Sequence, residues 1–223
     1  MSDRGQGHSR PITTNQSDIH DNLLAVVEKY RRSVSLRPVS QHTQDAFDRI
    51  QSWAEQPSEG LIFDSCCGVG ESTARIAEIY PGALVIGIDK SEARVNKHQH
   101  YQSLSCNYQI IRADVHDFWR LAQRAGWQLK KHYLLYPNPY PKASQLQKRW
   151  HAGPSLPALI ELGGELQVRS NWQIYTQEFA LALQAYNRQT RIEPIIGEQQ
   201  VTTPFERKYT KSDQQCWRLI SQL

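Results

Sequence analysis

The sequence predicts an α/β fold of the Rossmann-like, doubly wound kind, and three observations carry that prediction. Short apolar runs alternate with longer amphipathic segments from Gly60 onward. The first run ends in a turn of small residues, Asp64-Ser65-Cys66-Cys67-Gly68-Val69-Gly70. An acidic residue closes each of the first three runs, at Asp64, Asp89 and Asp114. Such alternation builds a mostly parallel sheet with helices on both faces, and its ligands bind at the carboxyl ends of the strands.

In chain order, residues 1–18 are polar and are expected to form a flexible tail. Residues 19–58 read as an N-terminal helical extension, with one helix marked by Leu23, Leu24, Val26 and Val27 and another over Gln41 to Ala54. The main domain, residues 59–223, supplies seven strands. Leu61-Ile62-Phe63 is the first and Leu84 to Ile88 the second, with a helix over Glu71 to Tyr80 between them. Ser91 is placed to cap a helix running toward His100. Tyr108 to Ile111, Tyr133 to Tyr136 and Gly164 to Val168 follow as strands. The last two strands are expected near Arg191 to Ile196 and Gln215 to Leu219, and helices over His116 to Ala125, Pro157 to Leu162 and Tyr175 to Tyr186.

Composition narrows the class. The 223 residues are 39% hydrophobic and 22% charged, and no apolar run reaches the roughly 20 residues that a membrane helix needs. The start has no apolar core of an export signal, so a cytoplasmic protein is expected. Cys66, Cys67, Cys106 and Cys216 lack metal-ligand spacing and read as reduced thiols. The eight His share no metal-site spacing and are assigned to surface or RNA-facing positions, so no metal is expected. Net charge is +4, but seven Lys and Arg and no acidic residue fall between Phe118 and Ile160, interleaved with Tyr133, Tyr136, Tyr140 and Trp150. That pattern raises a polyanion, and most plausibly a nucleic acid, as partner.

At the strand ends, small residues let the backbone approach a ligand closely, Asp89 suits two ribose hydroxyls, and Asp114 suits an adenine edge. The pattern resembles the S-adenosylmethionine-dependent methyltransferases of the Rossmann-like class. Tyr136-Pro137-Asn138-Pro139-Tyr140-Pro141-Lys142 is similar to the Phe-Pro-Asp-Pro-Trp-Pro-Lys signature of the tRNA (guanine-N7)-methyltransferases. Gly163-Gly164-Glu165-Leu166, Ser170-Asn171-Trp172-Gln173-Ile174-Tyr175 and Thr203-Pro204-Phe205-Glu206-Arg207-Lys208 resemble that family's later motifs, in its order.

The resemblance implies S-adenosylmethionine as cofactor, held by Asp64, Cys66, Gly68, Gly70, Asp89 and Asp114, and a variable-loop guanosine of tRNA as substrate. It implies Asn138 at the catalytic position. Tyr140, Lys142, Lys148, Arg149, Asn171, Thr203, Glu206 and Arg207 would then form the substrate side, with Tyr140 stacking on the base, worth about 1–3 kcal/mol. Lys142, Lys148 and Arg149 would position phosphates without reading sequence. Trp172 and Phe205 are assigned to the core.

The chain also departs from the family pattern. Cys66 stands where a glycine is usual, Asn138 and Asn171 replace carboxylates, and Pro204 replaces a lysine. A carboxylate accepts both guanine edge donors, whereas Asn offers one acceptor and one donor group. Asn-Pro-Tyr-Pro is also similar to the Asn-Pro-Pro-Tyr loop of amino-methyltransferases. These departures leave open an RNA-binding homologue or partner subunit without turnover, and a methyltransferase for another base or small molecule.

Overall fold

A computed structural model describes residues 9–197, 199 and 203–223 of the chain. Residues 1–8, part of the expected tail, lie outside the described residues. Seven strands form one sheet: β1 (Leu61–Ser65), β2 (Leu84–Asp89), β3 (Tyr108–Arg112), β4 (Leu129–Leu135), β5 (Glu165–Ser170), β6 (Thr190–Pro194) and β7 (Trp217–Gln222). Their order is β3-β2-β1-β4-β5-β7-β6, parallel through β5, with β7 antiparallel to both its neighbours. The chain winds outward from β1 to β3 and then returns to place β4 on the other side of β1. That reversal leaves a crevice beyond the carboxyl ends of β1 and β4, where ligands bind in open sheets.

The helices are α1 (Leu23–Arg31), α2 (Gln41–Ala54), α3 (Glu71–Ile79), α4 (Glu92–Val95), α5 (Val115–Arg124), α6 (Leu156–Leu162), α7 (Gln173–Gln184) and α8 (Pro204–Thr210). The N-terminal extension shares the main core. Phe47 of α2 stacks on Trp127 at 4.9 Å, and Phe63 of β1 meets Phe118 of α5 edge-on at 5.6 Å. Offset and edge-to-face contacts of this kind add about 0.5–1.5 kcal/mol beyond area burial.

Several expectations need correction. Residues 9–18 are laid against the body: Ser9 N–H donates to Ser212 Oγ at 2.8 Å, and Gln16 is buried. β4 begins at Leu129, upstream of the expected Tyr133, because Leu129 and Lys131 already pair with Leu61 and Ile62 of β1 and Lys131 with Glu165 of β5, where its ammonium also meets Glu165 Oε1 at 2.6 Å. Ser91 does not cap its helix through its side chain; its N–H donates to Asp89 Oδ1 at 2.8 Å. After the proline loop come two short 3-10 segments, Ala143–Lys148 and Trp150–Ala152. His132 and His151 are fully buried rather than surface residues. Phe205 is 47% exposed, whereas Trp172 does lie in the core. Helix α8 was not anticipated, although Thr203 Oγ1 accepting from Glu206 N–H at 3.0 Å and Pro204 in the first turn are start signals.

Candidate active site

Asp64 is buried in β1, and its Oδ2 accepts from Ser72 Oγ at 2.6 Å and Thr73 Oγ1 at 2.7 Å. Its Oδ1 has no partner among the described residues. Burial pushes its carboxyl up to about 6, against the lowering effect of the two hydroxyls. The turn that follows is left-handed at Cys66 (φ 63°), Gly68 (φ 63°) and Gly70 (φ 76°). At Gly70 a Cβ would also come within 2.7 Å of His98 Nδ1 and 2.8 Å of Ile110 Cδ1, so both conformation and space demand glycine. Burial, first, and the nearby Asp89 and Asp64 charges push the Cys66 thiol up to about 12, so it stays neutral.

Asp89 ends β2 almost fully buried. Its Oδ2 accepts from Gly68 N–H at 3.0 Å, and Arg94 lies 3.1 Å from its Oδ1. These contacts fix the carboxylate against the first turn. Asp114 caps α5: its Oδ1 accepts from His116 N–H at 2.9 Å and from Asp117 N–H at 3.3 Å. Its Oδ2 faces Arg37 at 3.3 Å, so the linker between α1 and α2 reaches this rim.

The proline loop closes the other side. Tyr136 and Tyr140 both adopt positive φ, 53° and 46°. Tyr136 donates its hydroxyl to Glu206 Oε2 at 2.8 Å, and Arg169 meets the same oxygen at 2.8 Å. Asn138 is exposed, and its Oδ1 accepts from Tyr140 N–H at 3.2 Å. That bond takes one of the two lone pairs on the carboxamide oxygen. Lys148 Nζ lies over the Tyr140 ring, 5.9 Å from its centroid.

Between these halves lies a cavity of about 440 Å³. It brings together Cys66, Asp89 and Asp114 with Asn138, Tyr140 and Lys148. Asp64, Gly68 and Gly70 support the turn behind its wall. The other expected substrate residues do not line it. Lys142 is exposed beside the loop. Asn171 donates through Nδ2 to Gln214 Oε1 at 2.9 Å. Thr203 caps α8, and Glu206 is buried with Tyr136 and Arg169. Arg207 forms a two-pronged pair with Glu71, at 2.6 and 2.8 Å. Arg149 is fully buried against Glu178, so the phosphate contact expected of it is corrected to an internal ion pair.

Sequence reasoning missed Lys90, Arg94, His116, Trp150, Phe205 and Tyr209, which also line the cavity. Lys90 directly follows the acidic end of β2 and Arg94 lies in the short α4 just beyond it, positions that signal the rim of a strand-end site. Phe205 and Tyr209 lie one helical turn apart on α8, their rings stacked with centroids 6.4 Å apart.

The signature of the methyltransferase family Methyltransf_4 matches residues 58–219. A protein of Burkholderia mallei named tRNA (guanine-N(7)-)-methyltransferase is 31% identical over 164 residues, covering 69% of this chain and 61% of its own length. One of the same name from Paramagnetospirillum magneticum is 27% identical over 155 residues, covering 67% and 63%. The match thus spans less than two thirds of those relatives. Among solved structures, an antibiotic-related methyltransferase superposes with a TM-score of 0.58 at 13% identity, covering 87% of this chain and 98% of its own. The 16S rRNA methyltransferase KamB does so at 0.57 and 15%, covering 85% and 98%. At these identities the likeness is one of fold. With the family signature running from just before β1 into β7, the chain belongs to the Methyltransf_4 family of methyltransferases.

Proposed function

We propose that the protein is a cytoplasmic, S-adenosylmethionine-dependent methyltransferase that modifies guanine N7 in tRNA. The observation that carries this reading is the single cavity joining the strand-end carboxylates Asp89 and Asp114 to Asn138 and Tyr140 of the proline loop. The names of the curated relatives support the choice of tRNA and of N7.

The residues fit the cofactor. Asp89 suits the ribose hydroxyls and Asp114 the adenine edge. Asp64 does not line the cavity, but its buried Oδ1, with no partner among the described residues, keeps an unused acceptor behind the wall, of the kind an ammonium group calls for. When bound, S-adenosylmethionine supplies an electrophilic methyl group on its sulfonium. Guanine N7 carries an in-plane lone pair, so no base is needed to deprotonate it. What remains for the protein is alignment and exclusion of water, which together supply several kcal/mol. Tyr140 offers a stacking face, and the Asn138 amide nitrogen offers a donor that suits guanine O6. Lys148, exposed above Tyr140, suits the RNA backbone.

Unmodified tRNA incubated with the protein and S-adenosylmethionine is expected to yield 7-methylguanosine by nucleoside mass spectrometry. A different methylated nucleoside would overturn the base assignment, and no methylated nucleoside would overturn the activity. Asp89→Ala is expected to weaken cofactor binding at least about tenfold, since hydrogen bonds to a charged group each contribute about 1.5–3 kcal/mol. Calorimetric titration checks this, and an unchanged Kd removes Asp89 from the pocket.

Cys66→Gly tests the departure in the first turn. A non-glycine residue at left-handed φ costs about 1 kcal/mol or more, and glycine's extra freedom in the unfolded chain costs a similar amount. Unfolding free energy is therefore expected to stay within about 1 kcal/mol of the parent, while loss of the thiol from the cavity wall tightens cofactor binding. Weaker binding in the variant would show that the thiol helps rather than hinders.

A further inference from the structure

Three consecutive carbonyls of the proline loop, those of Tyr140, Pro141 and Lys142, each receive a donor from outside the loop. Arg149 Nε donates to Tyr140 O at 3.1 Å, Thr14 Oγ1 to Pro141 O at 2.5 Å, and an Arg149 terminal nitrogen to Lys142 O at 3.3 Å. The next N–H, that of Ala143, donates to Asn15 Oδ1 at 3.0 Å. Half of this clamp therefore comes from a segment that precedes the family match at residue 58.

Both halves converge on Glu178 of α7, which is fully buried. Its Oε1 accepts from Gln16 Nε2 at 2.6 Å and His20 N–H at 2.9 Å. Its Oε2 accepts from Arg149 at 2.5 Å and from His151 Nε2 at 2.9 Å. Gln16 also accepts from Arg149 at 2.9 Å, and the guanidinium lies 4.9 Å from the Trp172 ring centroid. Burial alone would raise the Glu178 carboxyl, but the donors from His151 and Arg149 prevail and hold it well below its ordinary value, so it is ionised.

Tyr140 needs such a frame. Its φ of 46° is unfavourable for a residue with a Cβ and persists only where the surroundings over-determine it. A guanidinium fork is the side chain that can grip two carbonyls and a carboxylate at once; an ammonium is a single point.

We propose that Glu178, acting through Arg149, is a positioning residue that sets Tyr140 and its loop for substrate, and that the segment around Gln16 is an integral part of the same device. The substrate role rests on the methyl-transfer reading above. Neither Glu178 nor Gln16 lines the cavity, so both act at a distance from the reacting atoms.

The test uses full-length Glu178→Gln, Arg149→Lys and Gln16→Ala proteins. Amide hydrogen exchange reads the loop directly: exchange in residues 138–145 is expected to rise at least tenfold, with residues 64–70 unaltered. The Kd for S-adenosylmethionine is expected to hold, while KM for tRNA rises at least tenfold and kcat changes less. Arg149→Lys is expected to behave like Glu178→Gln, with no rescue. Unaltered loop exchange, or an unaltered tRNA KM with a loosened loop, overturns the proposal. So does a cofactor Kd that worsens in step with KM, the mark of a generally weakened fold. If Glu178→Gln fails to fold, Gln16→Ala carries the same readouts. Should the parent protein not methylate tRNA at all, the functional reading falls, and hydrogen exchange still decides whether Glu178 and Gln16 hold the loop.

Discussion

Glu206→Ala is expected to lower the unfolding free energy by about 3 kcal/mol, the lower end of the cost of removing one partner from a buried ion pair. The carboxylate is almost fully buried on α8 and receives both the Tyr136 hydroxyl and Arg169 on a single oxygen. Truncation leaves a positive charge inside the protein without that counter-ion and takes the acceptor from a buried phenol. For a chain of this size about 3 kcal/mol corresponds to roughly 6–12 °C in Tm. Glu206→Gln keeps the shape and one acceptor, so it is expected to fall between the parent and Glu206→Ala. Denaturant unfolding reads the difference; a loss under about 1 kcal/mol for Glu206→Ala would show that the pair contributes little net stability. The same bonds explain why Glu206 does not line the cavity: it ties α8 to the start of the proline loop.

Between pH 7 and 4.5 the parent is expected to lose about 2.5 kcal/mol more stability than His132→Asn. His132 sits in the middle of the sheet, fully buried, with Nε2 2.8 Å from Ser65 Oγ and no partner for Nδ1 among the described residues. Burial lowers its pKa to about 3. In the unfolded chain an imidazole titrates near 6.5, so between 6.5 and 3 the unfolded state takes up a proton that the folded state refuses. Stability from this group is whole above 6.5 and is lost as pH falls toward 3. Burial also lowers His116 and His151, which adds to the loss. Asp64 works in the opposite sense. Its folded pKa of about 6 lies above the ordinary 3.8, so the folded state binds the proton first and gains stability as pH falls through that range. Comparing the two proteins cancels these shared contributions. Urea unfolding at stepped pH is the measurement, and parallel pH profiles would remove His132 from the account.

The strand-end half of the cavity was legible because its signals are local. The apolar runs of β1 and β2, the small-residue turn and the acidic strand ends each lie within a few residues of one another, and the structure joins Asp89 and Asp114 in one cavity. The proline-loop half was not, because its contacts cross the chain. Arg149 reads as one more cation in a basic stretch, and only the fold brings it to Glu178 and Trp172. Gln16 reads as part of a polar tail for the same reason. His132 looked like a surface residue because the start of β4, Leu129-Lys130-Lys131, alternates too weakly to mark a strand.

The Gln16–Glu178 bond spans 162 positions, and that distance sets an order of events during synthesis. β1 to β4, with the small-residue turn after β1, are complete in sequence once Leu135 has been made. The proline loop follows at once, but its three carbonyls cannot be gripped in the mature way until α7 has been added and the early segment has folded back on it. A growing chain therefore carries a nearly finished strand-end crevice beside a proline loop that is still unset, so the complete cavity is among the last features to emerge.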